Sequence, residues 1–519
     1  MKRKQLSLAI GLTTTIATFG VGAETVYESD SGVKLGIGLS TEILPRFTDN
    51  MDFNDDVENG FSFSAPRPGT GDIFGSGVLS SFTGTGGSDD NSGAILNETR
   101  FWFDASKGNL EMHTMIEWDG TLDEGVIDNN DPNLERARVS YTAPSLGAKF
   151  SAGADLYFAS TIGRVVYVDD DPGFWVNGKF ASGTTYQLGY HKRDEGSGAA
   201  GDSAGREPRL PSGRDHDLFS AKLGFSGDTG AGGTWYLEPF ALGQNRANQS
   251  LNRAGQAQGT DQVAGYFGTG ARYQSGVFMI EGEVITHQGT IRGTNTASVR
   301  DGFDQNYDEM DINSYAAHLQ GKLRNAIGGK ITPYLSYDFA SGDSDPTDDD
   351  LEGYVPVSTS NDLRSDNIEW VRTSMVNIMP NAVGNNAVEF GFETNALGVG
   401  PNVGGILNTG FGANPGYHRL QTGLKGSLVG KWGVSTRVVY LRFAETEAAV
   451  AGAQARGQNV NDVDDDIGWG FDLQFPYQAQ DGLSITPFAS VFLPGDGSET
   501  LAGNDDTGFL GGVKLLARF

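Results

Sequence analysis

The feature that most constrains this chain is a two-residue alternation of apolar and polar side chains that returns along most of its length. In Val33–Ile43, Val33, Leu35, Ile37, Leu39, Thr41 and Ile43 fall on one face, and Lys34, Gly36, Gly38, Ser40 and Glu42 on the other. Successive side chains of a strand point to opposite faces, so this pattern predicts a strand with one apolar and one polar surface. The pattern recurs in Leu110–Trp118, Ala148–Phe158, Phe278–Thr286, Ile331–Phe339 and Ile467–Phe475. The runs are 9 to 11 residues long. A tilted strand crosses a bilayer with about 9–11 residues, whereas strands of soluble proteins are commonest at about 5–6.

The connections carry a second signal, because short and long ones alternate. Ser106–Asn109, Pro144–Gly147, Ala181–Thr184 and Gln274–Gly276 are tight turns. Between them lie long acidic or Gly/Ser-rich segments: Leu44–Leu96, His191–Asp217, Gly243–Gln262, Gln288–Ile312 and Ala340–Gly416. Short periplasmic turns and long extracellular loops are the habit of a transmembrane barrel. Counting from Val33–Ile43 gives 18 strands, with Tyr417–Leu428 the fourteenth and Thr507–Phe519 the last. The expected fold is all-β, a transmembrane antiparallel β-barrel forming one domain over residues 24–519. Residues 368–394 could add a hairpin and raise the count to about 20, parity being kept either way. The preferred reading keeps eighteen and folds that segment in or over the pore.

The start of the chain fits export. Lys2, Arg3 and Lys4 precede an uncharged run from Leu6 to Phe19, and Val21-Gly22-Ala23 offers small residues for cleavage. This is the order of a secretory signal peptide over residues 1–23; as a membrane anchor the run is too short and threonine-rich. An exported chain is periplasmic, secreted or a barrel, and the alternation selects a barrel in a Gram-negative outer membrane. Thr394–His418, the longest uncharged stretch after Ala23, is rich in Gly, Asn and Pro and reads as loop.

Composition agrees once the architecture is set. The chain has 66 acidic and 37 basic residues, a net charge of −29, no cysteine, 75 Gly, 30 Phe, 17 Tyr and 7 Trp. Absence of cysteine excludes a disulfide scaffold and thiolate-held metals. The acid excess excludes a nucleic-acid binder, and the aromatic content excludes a disordered acidic chain. In a barrel, glycine serves turns and crowded lumen positions, and aromatics serve the lipid face and its girdles.

Strand parity assigns charges to the lumen. Arg100, Arg136, Arg138, Lys149, Arg272, Lys322, Arg419, Lys425 and Arg437 point inward and are the expected contacts for an anionic solute. Inward acids are Glu42, Asp104, Glu111, Glu117, Asp155, Glu238, Glu281, Glu283, Asp338 and Asp472. This mixed ladder can guide solute or brace the wall with ion pairs. The acid excess is left for the loops.

Motifs that resemble chemistry mostly fail. Gly173–Lys179 has Walker spacing, but Phe180 stands where Ser or Thr is needed. The six His are scattered, and no Ser-His-acid set appears at recognisable spacing, so neither an enzyme nor a cofactor is expected. Asp343, Asp345 and Asp348 form a weak Ca²⁺ or Mg²⁺ candidate, although Pro346 breaks EF-hand order. Acid clusters at Asp128–Asp131, Asp169–Asp171 and Asp464–Asp466 could bridge to lipopolysaccharide through divalent cations.

Tyr337-Asp338-Phe339-Ala340-Ser341-Gly342-Asp343, followed by Asp345-Pro346 and Asp348, resembles the approach to a long loop in the alginate-export family of outer-membrane channels. Ile467–Leu473, Tyr477 and Phe492–Gly495 are similar to that family's penultimate hairpin. The resemblance covers roughly Tyr334–Phe519. It implies an eighteen-stranded barrel and passive passage of an anionic polysaccharide or related solute through an arginine-lined pore. The terminal Phe519 resembles the signal read by barrel-assembly machinery. The expected function is a passive channel for hydrophilic, anionic solutes or polysaccharide, monomeric or trimeric, in contact with outer-membrane lipid and lipopolysaccharide. The alternative is a non-channel barrel, an adhesin or structural protein whose long acidic loops bind a partner.

Overall fold

In the computed structural model, the described residues are 24–49, 92–121, 132–163, 165–195, 214–230, 232–251, 257–293, 309–359, 370, 373–378, 414–455, 459–502 and 505–519. The signal segment 1–23, most of the Leu44–Leu96 connection and the acid cluster at 128–131 lie outside them.

The wall comprises β1 Val33–Asp49, β2 Ser92–Lys107, β3 Leu110–Thr121, β4 Asn133–Ala143, β5 Ala148–Ala154 and β6 Pro172–Lys179. It continues through β7 Thr185–Glu195, β8 Arg214–Asp228, β9 Thr234–Leu251, β10 Ala257–Gln274, β11 Phe278–Gly293 and β12 Glu309–Leu323. β13 Ile331–Ala340, β14 Tyr417–Ser427, β15 Gly433–Phe443, β16 Asp466–Gln474, β17 Leu483–Pro494 and β18 Gly508–Arg518 complete it. Each strand pairs antiparallel with its neighbours, and β1 pairs with both β2 and β18, so the sheet closes as an 18-strand barrel. Tyr417 opens the fourteenth strand, as the alternation predicts. A short strand, Glu24–Glu28, pairs with the first residues of β1 and continues the row of β18. The Leu39 amide donates to the Phe519 carbonyl at 3.1 Å, and the Phe519 amide to that of Leu39 at 2.8 Å.

Several strands outrun their expected limits. β9 and β10 each have 18 residues and take in much of Gly243–Gln262, expected to be loop. In β12, which begins at Glu309 inside the expected Gln288–Ile312 loop, the cause is an inversion of polarity. Along β12, Glu309, Asp311 and Asn313 point outward while Met310 and Ile312 are buried inside; further down, Leu319 points outward and His318 and Gln320 inward. The period of two persists, but its sign flips where the wall leaves an apolar exterior, so polar outer stretches read as loop. β5 departs the other way. The sequence carries it to Phe158, yet the chain leaves the wall after Ala154.

Exposed Leu188, Leu237, Val284, Leu319, Leu335 and Leu420 belong to an apolar outer surface. Aromatic pairs bound it: Tyr190–Phe219, Tyr315–Phe339 and Tyr440–Trp469 (ring centroids 5.2, 5.3 and 4.7 Å apart) near the long-loop end, and Phe180–Tyr186 and Trp432–Tyr477 (both 4.7 Å) near the short turns. Charges on such a surface cost about 2–4 kcal/mol at the bilayer midplane, which is why the strand charges gather inside.

Gly38 shows what lumen glycine does. A Cβ there would stand 2.3 Å from the ring of Trp102, a buried lumen side chain on β2. Gly38→Val should destabilise the barrel by about 1–3 kcal/mol through overpacking. Trp102→Ala in the same chain should recover part of the loss. The thermal midpoint of the heat-modifiable electrophoretic shift measures both; additive losses would remove this account of Gly38.

Candidate pore site

The lumen is narrowed by connections that fold inward. After β5, residues 155–171 form a hairpin inside the barrel, pairing Tyr157 with Asp169 and Phe158 with Val168. Ser358–Thr359 adds a parallel bridge to Tyr167–Val168. Two buried wall carboxylates hold the hairpin. Glu238 on β9 accepts from the Thr161 amide and hydroxyl, both at 2.7 Å. Glu283 on β11 accepts from the Ser160 hydroxyl at 3.0 Å and the Gly163 amide at 2.9 Å. The Tyr157 hydroxyl meets Ser220 at 2.5 Å, and Lys222 donates to the Phe158 carbonyl at 3.1 Å. Tyr157, Val165, Val166 and Tyr167 then pack on the inward faces of Trp175, Leu218, Phe240, Tyr266 and Ile285.

Residues 341–357 cover the next part of the wall. The Tyr354 hydroxyl donates to the Val165 carbonyl (2.8 Å), Tyr266 donates to that of Val355 (2.7 Å), and Arg193 to that of Val357 (2.9 Å). Trp370 and residues 373–378 lie against β15–β17. Arg437 donates to Asp472 (2.7 Å) and to the Ser374 hydroxyl (2.7 Å), with the Trp370 ring 5.2 Å away. The Met375 amide donates to Ser490 (2.6 Å). The described part of 368–394 is therefore folded into the barrel, as preferred; Ala387–Thr394 lies outside the described residues. The helix Thr446–Ala455 adds Ala449 to the apolar cluster containing Met375, Val376, Leu441 and Phe443.

These segments divide the expected site residues. Arg419 and Arg437 are buried, Arg419 against Asp338 at 2.7 Å, so both brace the packed part of the lumen. Arg100, Arg136, Arg138 and Lys149 lie on the β2–β5 wall and keep side-chain exposures of 19, 20, 26 and 34%. Each has an acid beside it: Glu117 and Glu98 on Arg100, Asp170 on Arg136 (3.3 Å), Asp155 on Arg138 and Glu111 on Lys149 (2.6 Å). Arg272 meets Glu281 at 2.6 Å, while Lys322 and Lys425 stand near the short-turn ends of β12 and β14. The β2–β5 strip is thus polar, partly water-exposed and of both signs. Glu238 and Glu283 were legible as inward acids, but nothing in their spacing marks them as hairpin anchors.

The cation candidate does not assemble. Asp345 accepts from the Thr347 amide (3.1 Å) and hydroxyl (2.5 Å), and Asp348 from the Asp350 amide (2.9 Å), whereas Asp343 is buried. Among the described residues no three such side chains converge; the loop spends Asp345 and Asp348 on its own turns. Asp169–Asp171 lie inside the barrel, away from any lipid headgroup, contrary to the bridging expected of them.

No protein-family model matches the chain, and no curated protein matches it. Solved structures of bacterial porins resemble it in shape. They include OccK9 (OpdG) of Pseudomonas aeruginosa (10% identity, 93% of this chain and 98% of that one, TM-score 0.47). OprB of Pseudomonas putida (9%, 93% and 94%, TM-score 0.40) is another. A third is an anion-selective porin from Comamonas acidovorans (10%, 94% and 100%, TM-score 0.38).

Two outcomes follow from the hairpin. Glu283→Ala, which removes an anchor, should widen the passage and raise single-channel conductance; unchanged conductance would deny that 155–171 narrows it. Asp171 lies in the connection, outside the strands, where burial and then Asp169 push its carboxyl up to about 6. A raised acid binds its proton more tightly in the folded hairpin than in an unfolded chain, whose value is about 3.9. The hairpin therefore gains stability as pH falls through 6 toward 4. Open-channel current noise should diminish over that window, and Asp171→Asn should be quiet already at neutral pH.

Proposed function

We propose that this protein is a passive channel in the bacterial outer membrane, passing hydrophilic and preferentially anionic solutes. The observation that carries the reading is a closed barrel whose apolar exterior is bounded by aromatic pairs, and whose interior keeps one polar strip open beside inward-folded segments. Inward folding favours a channel over an adhesin, because a connection that presents a partner site must stay outside. The Arg100, Arg136 and Arg138 guanidinium groups keep part of their surface in the passage, and their acid partners keep any solute's residence short. The alginate-export resemblance fits a polysaccharide solute, and exposed Phe519 is the residue we assign to recognition by assembly machinery.

Planar-bilayer recording tests this. The refolded protein should conduct, and its reversal potential in a KCl gradient should report anions crossing more easily than cations. Arg100→Ala, Arg136→Ala and Arg138→Ala together should reduce that preference. A silent barrel would sink the channel reading; a preference untouched by the triple substitution would sink the assignment of these residues.

A further inference from the structure

The charges at the short-turn mouth differ in balance from those of the whole chain, which carries −29 overall. Lys149 is the second residue of β5, Lys179 the last of β6, and Arg518 the last of β18. Arg272, Lys322 and Lys425 lie within two residues of the ends of β10, β12 and β14. The ends of β5, β6, β10, β12 and β14 meet short turns, and the end of β18 lies at the same level, paired through Phe519 with Leu39. Parity turns each side chain to the lumen: Lys149 shares its face with buried Ser151, Lys179 with Trp175, Arg272 with Tyr266, Lys322 with Gln320, Lys425 with Gln421 and Arg518 with Leu510.

Lumen-facing acids at this level are fewer than the cations. Among the described residues, Glu111 and Asp228 stand there, Asp104 and Glu281 one pleat deeper, and Asp30 and Asp481 in turns at this end; Glu111 pairs with Lys149 and Glu281 with Arg272, both at 2.6 Å. Lys34 also faces this level and is matched by Glu28 at 3.4 Å. Other inward carboxylates are used further in, where Glu238 and Glu283 hold the hairpin and Asp338 and Asp472 hold Arg419 and Arg437. Low-dielectric walls around one sign of charge focus its field across the opening and concentrate counter-ions there.

We propose that the short-turn mouth is a binding site for polyvalent anions, a collar that holds several phosphate or carboxylate charges at once as a solute leaves or enters the periplasmic side. The proposal rests on the channel reading for its orientation and adds a place and a ligand class. Four of the six named cations are lysines, whose compact ammonium groups on flexible stems accept anions in many orientations. The collar therefore discriminates by charge number more than by shape. A monovalent anion meets one or two ammonium groups, whereas a chain of anionic groups spans several.

The test uses inorganic tripolyphosphate and the full chain in a planar bilayer. Because the chain has no cysteine, Asp345→Cys and a membrane-impermeant thiol reagent identify the long-loop side. Tripolyphosphate should block the current from the short-turn side at a concentration about tenfold lower than from the other. Lys149→Gln, Lys179→Gln and Lys425→Gln together should abolish that difference, with the heat-modifiable mobility showing that the barrel still folds. Equal block from both sides, or a sidedness that survives the three substitutions, overturns the collar and leaves the channel standing. A barrel that carries no current overturns the channel instead. Equilibrium dialysis then decides the collar: tripolyphosphate binding that the three substitutions remove supports it, and absence of binding overturns it.

Discussion

Closure of the backbone hydrogen-bond ladder is the constraint on which everything else in this molecule depends. In a bilayer an unpaired amide or carbonyl has no water to turn to, so a spanning sheet must have no edge. The β1–β18 pairing removes the last one. Once the cylinder is closed, its two surfaces face opposite solvents, and period-two alternation sends apolar side chains to one and charges to the other. The cost of the solution is a wide interior, which has to be filled or kept wet.

Both outcomes occur, in different sectors. Against β6–β18 the interior is packed by inward segments whose apolar side chains form cores of ordinary protein character. Charged pairs inside those cores, Arg419 with Asp338 and Arg437 with Asp472, are costly to desolvate, and removing one member leaves the other buried and uncompensated. Their value is in fixing where a segment rests: Asp472 accepts from the Ser374 hydroxyl at 2.9 Å and Ser490 from the Met375 amide at 2.6 Å. Along β2–β5 the same residue types keep part of their surface exposed, and in the channel we propose they line the passage.

The fold was almost fully legible in the sequence, because parity and turn length are local properties that a closed barrel cannot violate. The strand count and the position of Tyr417 rest on them. What could not be read was the third dimension of the lumen. Arg437 and Arg100 are both inward arginines of a strand; one is buried beneath Trp370 and residues 373–378 and the other is reached by water, and the segment that distinguishes them lies far away in sequence. Glu238 and Glu283 likewise become anchors only because Thr161 and Gly163 arrive opposite them. The outer end of β12 was missed for another reason: its alternation is intact but inverted.

The length of the wall strands governs how the protein meets its surroundings. β9 has 18 residues, whereas a tilted strand needs about 9–11 to cross the hydrocarbon. At about 3.3 Å per residue, about 25 Å of strand remains beyond it. The barrel is thus a chimney and not a flush opening, and its rim of paired backbone stands clear of the hydrocarbon. A solute enters the protein's own field before it reaches the membrane.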